Sequence, residues 1–457
     1  MPSKDPYKLF NLPWYFFAVF AAVVLLAAML GVLPAGMAGC FAFMIVFGTI
    51  LNEIGEKTPI VRSYLGGGAV VIIFGMGALR YFNFFGLFDL LSPAADGVTY
   101  TETLMKNIET FFKPNGAFLD FYIAALICGS ILGMNRKLLI KAAARYFPAI
   151  LGGIVFAFGL AMLGGLLTGF GAVRALLLIA LPIMGGGMGA GAVPLSKIFE
   201  SAGTMTAEEA ISIMNPAVAI GNATSIVLAG LIVRLVTAKA LNGRGALMKD
   251  GVADTAELEI TPEIQRKRST ITVPDLGVGL LVSCSFFAFG YIVSALWGAV
   301  VPAVNIHAYA WMILAVAVCK IFHLLPEKIE IACFQWFQFI MKNLTTTLLV
   351  GIGLCYLSLD VVISTFSLRY LLLCFLTCVG ALAGAGLVGR LVGFYPVESG
   401  LTAGLCMANM GGTGDVAVLS AADRMELMPF AQISSRLGGA IILILGSLML
   451  SLLGGLL

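Results

Sequence analysis

Charge is what this sequence lacks. Of its 457 residues only 11% are Asp, Glu, Lys or Arg, less than half the roughly 25% of an ordinary soluble domain. So few charges cannot cover the surface of a soluble protein of this length. A soluble enzyme and a disordered chain are therefore excluded. The net charge of +3 is too small to point to a nucleic acid. Histidine is nearly missing, with His307 and His323 isolated and without a partner at metal-ligand spacing. The nine cysteines (Cys40, Cys128, Cys284, Cys319, Cys333, Cys355, Cys374, Cys378 and Cys406) are scattered through apolar runs and form no CxxC pair, which argues against a disulfide framework. No GxxxxGK[ST] phosphate loop occurs, and the glycine clusters lack the strand-to-helix setting of a dinucleotide site. No secretory signal is expected, because the first apolar run, 14–33, is longer than a signal core and has no small-residue cleavage site.

What is present is hydrophobic length. Sixty per cent of the residues are hydrophobic and the mean hydropathy is +1.02. A spanning helix needs about 20 mostly apolar residues. Eleven stretches qualify: 14–33, 36–52, 65–87, 118–134, 148–168, 212–236, 275–301, 306–325, 344–364, 368–389 and 430–455. The expected fold class is an all-α polytopic membrane protein. Two further stretches, 174–206 and 396–427, are apolar but broken by glycines and polar residues.

The basic residues orient the chain, since Lys and Arg concentrate in cytoplasmic loops. With Lys4 and Lys8 inside, so are Lys57 and Arg62, then Arg136, Lys137, Lys141 and Arg145, the polar loop 237–274, Lys328 and Lys342, and Arg390. The acidic loop 89–116 falls outside. This agreement holds only if 174–206 and 396–427 enter and leave on the same side, so both are read as re-entrant hairpins. The N-terminus is then cytoplasmic and the C-terminus outside.

The two broken stretches resemble each other. Gly169-Phe170-Gly171-Ala172-Val173-Arg174 matches Gly393-Phe394-Tyr395-Pro396-Val397-Glu398 at an offset of 224, and the GGxG…AV runs beginning at Gly186 and Gly411 match at 225. The expected organisation is an extra helix at 1–34, a first repeat at 35–236, a cytoplasmic loop at 237–274 and a second, inverted repeat at 275–457. Inverted repeats with broken elements meeting at mid-membrane are a signature of secondary transporters. Glycine is also common in membrane helices, so short matches can arise by chance.

Broken backbone at membrane depth survives only when it is buried in protein or lines a wet cavity. The tips Gly185–Gly189 and Gly411–Gly414 are thus candidates for one shared site, with Thr413 and Asn409 adding polar groups. Arg436, a few residues into the last span, is the cation that loop topology explains least. It is either a grip for a substrate carboxylate or a structural partner of Asp415 or Asp423, or it snorkels to the interface. Asp415 either caps the following helical piece or holds a cation. Asn215, Asn222, Thr224 and Ser225 either line the cavity or join helices.

The run from Leu181 to Ser196, with Met184-Gly185-Gly186-Gly187-Met188-Gly189-Ala190-Gly191 at its centre, resembles the first hairpin of the 2-hydroxycarboxylate transporter family. This is the bacterial family of citrate/sodium symporters, malate carriers and citrate–lactate exchangers. The segments Ala403–Asn409, Gly411–Asp415 and Ala431–Gly439, the last with Ser434-Ser435-Arg436-Leu437-Gly438-Gly439, resemble its second hairpin and last helix, and Asn135–Lys141 also fits. The resemblance covers nearly the whole chain. It implies eleven spans with two re-entrant hairpins, an elevator-type mechanism, a homodimer and the bacterial inner membrane. It implies a substrate site from Arg436, Ser435, Asn409, Gly412, Thr413, Gly187, Met188 and Gly189. A cation site would involve Ile183, Gly186, Cys406, Asn409 and Thr413. No cofactor is implied beyond a coupling ion, H+ or Na+, and no enzymatic activity.

Two departures matter. Sodium-coupled citrate members carry an asparagine where this chain has Met188, and an arginine where it has Met410. Losing these favours a smaller substrate, malate or lactate, over citrate, and proton symport or exchange over sodium symport. The rivals are a membrane subunit of a sodium-pumping decarboxylase, which needs buried carboxylates along a cation path, and a channel.

Overall fold

The computed structural model describes residues 7–62, 67–92, 97–112, 117–133, 136–248, 272–301, 306–411 and 413–457. They are almost wholly helical, with one two-stranded ribbon pairing Lys8–Leu9 with Leu12–Pro13. The helices are α1 (Trp14–Met29), α2 (Met37–Lys57), α3 (Gly68–Tyr81), α4 (Tyr100–Phe112), α5 (Phe118–Leu132), α6 (Arg136–Thr168), α7 (Ala207–Leu235), α8 (Val273–Val300), α9 (Ala308–Phe322), α10 (Glu327–Cys355), α11 (Leu359–Thr365), α12 (Leu368–Leu391) and α13 (Met428–Leu453). Between α6 and α7 lies hairpin 1, with arms Ala172–Ile183 and Met188–Ser201. Between α12 and α13 lies hairpin 2, with arms Pro396–Leu405 and Thr413–Ala421.

Each of the eleven expected stretches corresponds to helix. Seven helices among the described residues are long and apolar enough to cross a membrane, or eight if α3 and the 3-10 turn Phe84–Leu90, bent by 54°, form one broken span. The remaining three, α1, α5 and α9, are apolar helices of 15 or 16 residues. Two boundaries need correction. The ninth stretch begins at Glu327, not 344, and its helix ends at Cys355. Lys328 and Lys342, assigned to a loop, are helical, because no Pro or Gly interrupts the chain from Glu327 to Val350. The acidic loop 89–116 contains the amphipathic helix α4, which buries Leu104, Ile108, Phe111 and Phe112 on one face. Thr99 and Glu102 cap it reciprocally.

The chain divides into two compact units. The smaller comprises Met1–Ser63, Gly67–Tyr122 and Asn343–Leu359. Its core is a run of contacting rings, among them Phe43, Phe47, Phe85, Phe88 and, further along, Phe112 with Tyr356. The Arg80 guanidinium donates to the Leu354 carbonyl, and Tyr122 shares a hydrogen bond of 2.8 Å with Thr345.

The larger unit comprises Tyr64–Gly66, Ile123–Lys342 and Asp360–Leu457, and so contains both hairpins. Its spine is the seam between α6 and α12. A Cβ on Gly380 would stand 2.5 Å from the Phe156 carbonyl, and one on Gly152 would stand 2.9 Å from the Gly384 carbonyl. Small residues let the two backbones touch, which is how helices associate where lipid removes the hydrophobic drive. Gly384→Leu is expected to lower unfolding stability in detergent by about 1–3 kcal/mol, the usual cost of overpacking. Thermal unfolding of the purified protein checks this.

Candidate functional site

The two first arms share a local irregularity. Each contains a π-helical stretch, Leu176–Ala180 in hairpin 1 and Gly400–Leu405 in hairpin 2, beginning 224 residues apart. Stretches of the same kind lie at Met188–Ala192 in the second arm of hairpin 1 and at Ser434–Gly438 in α13. Wide turns of this kind are frequent at functional sites.

The tips are made by glycines that no other residue can replace without strain. Gly186 has φ +81°, Gly187 +111° and Gly411 +64°. They also touch. A Cβ on Gly187 would lie 2.8 Å from the Met410 carbonyl, and one on Gly411 would lie 3.1 Å from the Gly186 carbonyl. A Cβ on Gly186 would lie 2.9 Å from the Ser435 carbonyl of α13. Gly438 and Gly439 admit the two hairpins, the first against the Met407 side chain and the second against the Gly185 carbonyl. The glycine pair that ends the SSRLGG segment therefore has a packing reason.

A polar network crosses this junction. Asn409, fully buried, accepts at Oδ1 from the Gly411 amide (2.6 Å) and donates through Nδ2 to Asp415 Oδ1 (3.0 Å). Ser435 Oγ lies 2.8 and 2.9 Å from the two Asp415 oxygens and 2.9 Å from the Cys406 carbonyl. Its single proton serves one of these at a time. Asn222 of α7 accepts from the Met410 amide (3.1 Å), and Ser225 donates to the Ala408 carbonyl (3.2 Å). Behind Ser435, Tyr146 of α6 shares a 2.7 Å hydrogen bond with Ser434.

Most of the expected site residues meet here. Ser435 and Asn409 are in the network. Gly186 and Gly187 form the first tip, with Ile183 before it and Met188 and Gly189 after it. Cys406 is buried and offers its carbonyl to Ser435. Arg436 is half-buried on the π-helical stretch, within electrostatic reach of Asp415. Thr413 begins the second arm of hairpin 2. Gly412 lies outside the described residues. Asp415 and Asn222 are central yet were not chosen from sequence. From the sequence Asp415 reads first as a cap and only second as a cation holder, and Asn222 reads as lining the cavity or joining helices, with no pattern that pairs it with the second tip. His307 caps α9, accepting from the Tyr309 amide at Nδ1 (3.2 Å).

The model of the 2-hydroxycarboxylate transporter family matches residues 9–448. The chain is similar to the citrate/sodium symporter of Salmonella typhimurium, with 38% identity over 453 residues covering 98% of this chain and 95% of that one. It is similar to the malate transporter MleP of Lactococcus lactis, with 37% identity and 96% of each chain covered. It is also similar to the Na(+)-malate symporter of Bacillus subtilis, with 36% identity covering 94% of this chain and 89% of that one. The chain belongs to the 2-hydroxycarboxylate transporter family.

Ser435→Ala leaves the buried Asp415 without a hydroxyl donor. It is expected to reduce unfolding stability by about 1–3 kcal/mol. Gly187→Val, which drives a branched side chain into the Met410 backbone at positive φ, should abolish substrate binding, measured by calorimetry on purified protein.

Proposed function

From that membership we propose that the protein is a secondary transporter of small 2-hydroxycarboxylates, malate or lactate before citrate. We place it in a bacterial inner membrane as a homodimer with eleven spans, two re-entrant hairpins and elevator-type movement, its N-terminus cytoplasmic and its C-terminus outside. The observation that carries this is the apposition of the two glycine tips beside Arg436. Backbone amides and a guanidinium together suit a carboxylate.

In this reading Arg436 pairs with the substrate carboxylate. Ser435, Asn409, Gly412 and Thr413 meet the substrate from one side, and Gly187, Met188 and Gly189 from the other. Met188 and Met410 are apolar where a larger tricarboxylate needs further polar grips, so a shorter acid fits better. Coupling is by protons or by exchange, with Asp415 as the buried group best placed to take up a proton. A second reading, sodium coupling, is supported by the oxygen donors around Asp415. Its carboxylate, the Ser435 hydroxyl, the Asn409 amide and the Cys406 carbonyl suit a hard cation. Ile183, Gly186 and Thr413 would lie near such an ion. Two of the similar proteins are sodium symporters by name.

Counterflow in liposomes with malate, lactate, citrate and tartrate, with and without sodium, tests the proposal. Malate or lactate exchange without sodium is expected. Strictly sodium-dependent uptake that prefers citrate would reject the substrate and coupling assignments together. Flux by the purified protein alone separates a transporter from a decarboxylase subunit, and saturable counterflow separates it from a channel. Arg436→Lys should weaken malate binding about tenfold or more, because lysine cannot form the bidentate pair. Met410→Arg should raise citrate uptake relative to malate.

A further inference from the structure

The loop 237–274 reads from sequence as a linker or a small cap, and the structure docks its first part, up to Met248, on the base of hairpin 2. The Tyr395 amide donates to the Leu247 carbonyl (2.9 Å) and the Val397 amide to the Leu241 carbonyl (3.0 Å). Met248 and Phe394 form an antiparallel bridge. The tight loop Asn242–Gly245 then turns two amides onto one carboxylate: Gly243 N lies 2.8 Å from Glu398 Oε2 and Gly245 N lies 3.3 Å from Oε1. Glu398 is on the first arm of hairpin 2 and has no exposed surface. Arg424, just past the second arm, donates to the Asn242 side chain (3.3 Å) and lies 3.6 Å from Glu398. One strap therefore grips both the entry and the exit of hairpin 2.

Hairpin 1 is built differently at the same place. Its residue matching Glu398 is Arg174, which is exposed and lies over the Phe170 ring at 5.7 Å. The repeat thus has a solvated cation at one base and a buried, amide-bound anion at the other.

We infer that the Asn242–Gly245 loop is a permanent clamp on hairpin 2, and that Glu398 is a positioning residue for the substrate site. The inference rests on the transport reading above. Undocking the strap would strip partners from a buried carboxylate, and breaking a buried charged pair on one side is among the costlier single changes a protein can suffer. The spacing of the two arms at the base is carried along nine or ten residues of each arm to the tip, where Gly411 meets Gly186 and Ser435 and Asn409 joins Ser435 through Asp415. The strap therefore stays docked while the protein works, and the base of hairpin 2 does not open.

A cross-link tests this. Bridge partners in an antiparallel pair stand at Cα separations compatible with a disulfide, so Met248→Cys with Phe394→Cys should link on oxidation. The oxidised protein should keep the malate counterflow of its reduced form. Glu398→Gln in the reduced background should raise the half-saturating malate concentration about tenfold, the scale of one charge-assisted hydrogen bond, and oxidation should restore it. A general folding defect would not be reversed by oxidising protein already purified. Transport that stops on oxidation and returns on reduction would overturn the clamp, as would a Glu398→Gln defect that the link does not repair. If Phe394→Cys does not fold, Leu241→Cys with Val397→Cys probes the same strap. A reduced protein that folds but carries no carboxylate would count against the transport reading instead.

Discussion

Two backbones can meet at van der Waals distance only where no side chain stands between them, and the larger unit depends on that condition. The tips of both hairpins end in broken helix, with amides and carbonyls that no helical neighbour satisfies. In apolar surroundings such groups are costly unless they face protein or water. The chain answers by turning the tips against each other and against α13. Gly186, Gly187, Gly411, Gly438 and Gly439 are the residues without which these segments could not approach.

The scarcity of charge sharpens what the remaining charges do. Among the described residues, Asp275 caps the start of α8 and pairs with Lys328, and the other buried charges fall into three arrangements. Lys320 lies 2.6 Å from Glu330 and also donates to the Leu132 carbonyl at 2.7 Å, holding the ends of α5, α9 and α10 together. Glu398 is met by two amides and a guanidinium. Asp415 is met by an amide and a hydroxyl, with Arg436 nearby. The first two arrangements lie away from the tips, and only the third sits where the hairpins join.

Much of this was legible in the sequence. Hydrophobic length located the helices, because a span advertises itself by composition alone. The glycine clusters located both tips, because few other residues tolerate their backbone angles. The charge blocks misled at α10, where Lys328 and Lys342 looked like loop but continue a helix, since a few charges do not stop a helix that has no breaker. The polar and charged residues set between Leu104, Ile108 and Phe111 hid α4's amphipathic face inside an acidic loop. The partner of Asn222 and the docking of the strap were hidden for another reason: both pair residues about 150 positions or more apart in the chain, and no local pattern encodes such a pairing.

The glycine seam between α6 and α12 has a consequence for register. Each helix leads directly into a hairpin, so the axial position of one helix on the other sets the height at which each tip arrives. A slip of a single residue moves a helix by about 1.5 Å, and a full turn by about 5.4 Å. Either exceeds what the roughly 3 Å contacts between the tips can absorb. Gly152, Gly380 and Gly384 face backbone of the opposite helix in this register, so the seam works as a ruler. It measures out, from a distance, the point at which two independently broken segments come to face each other.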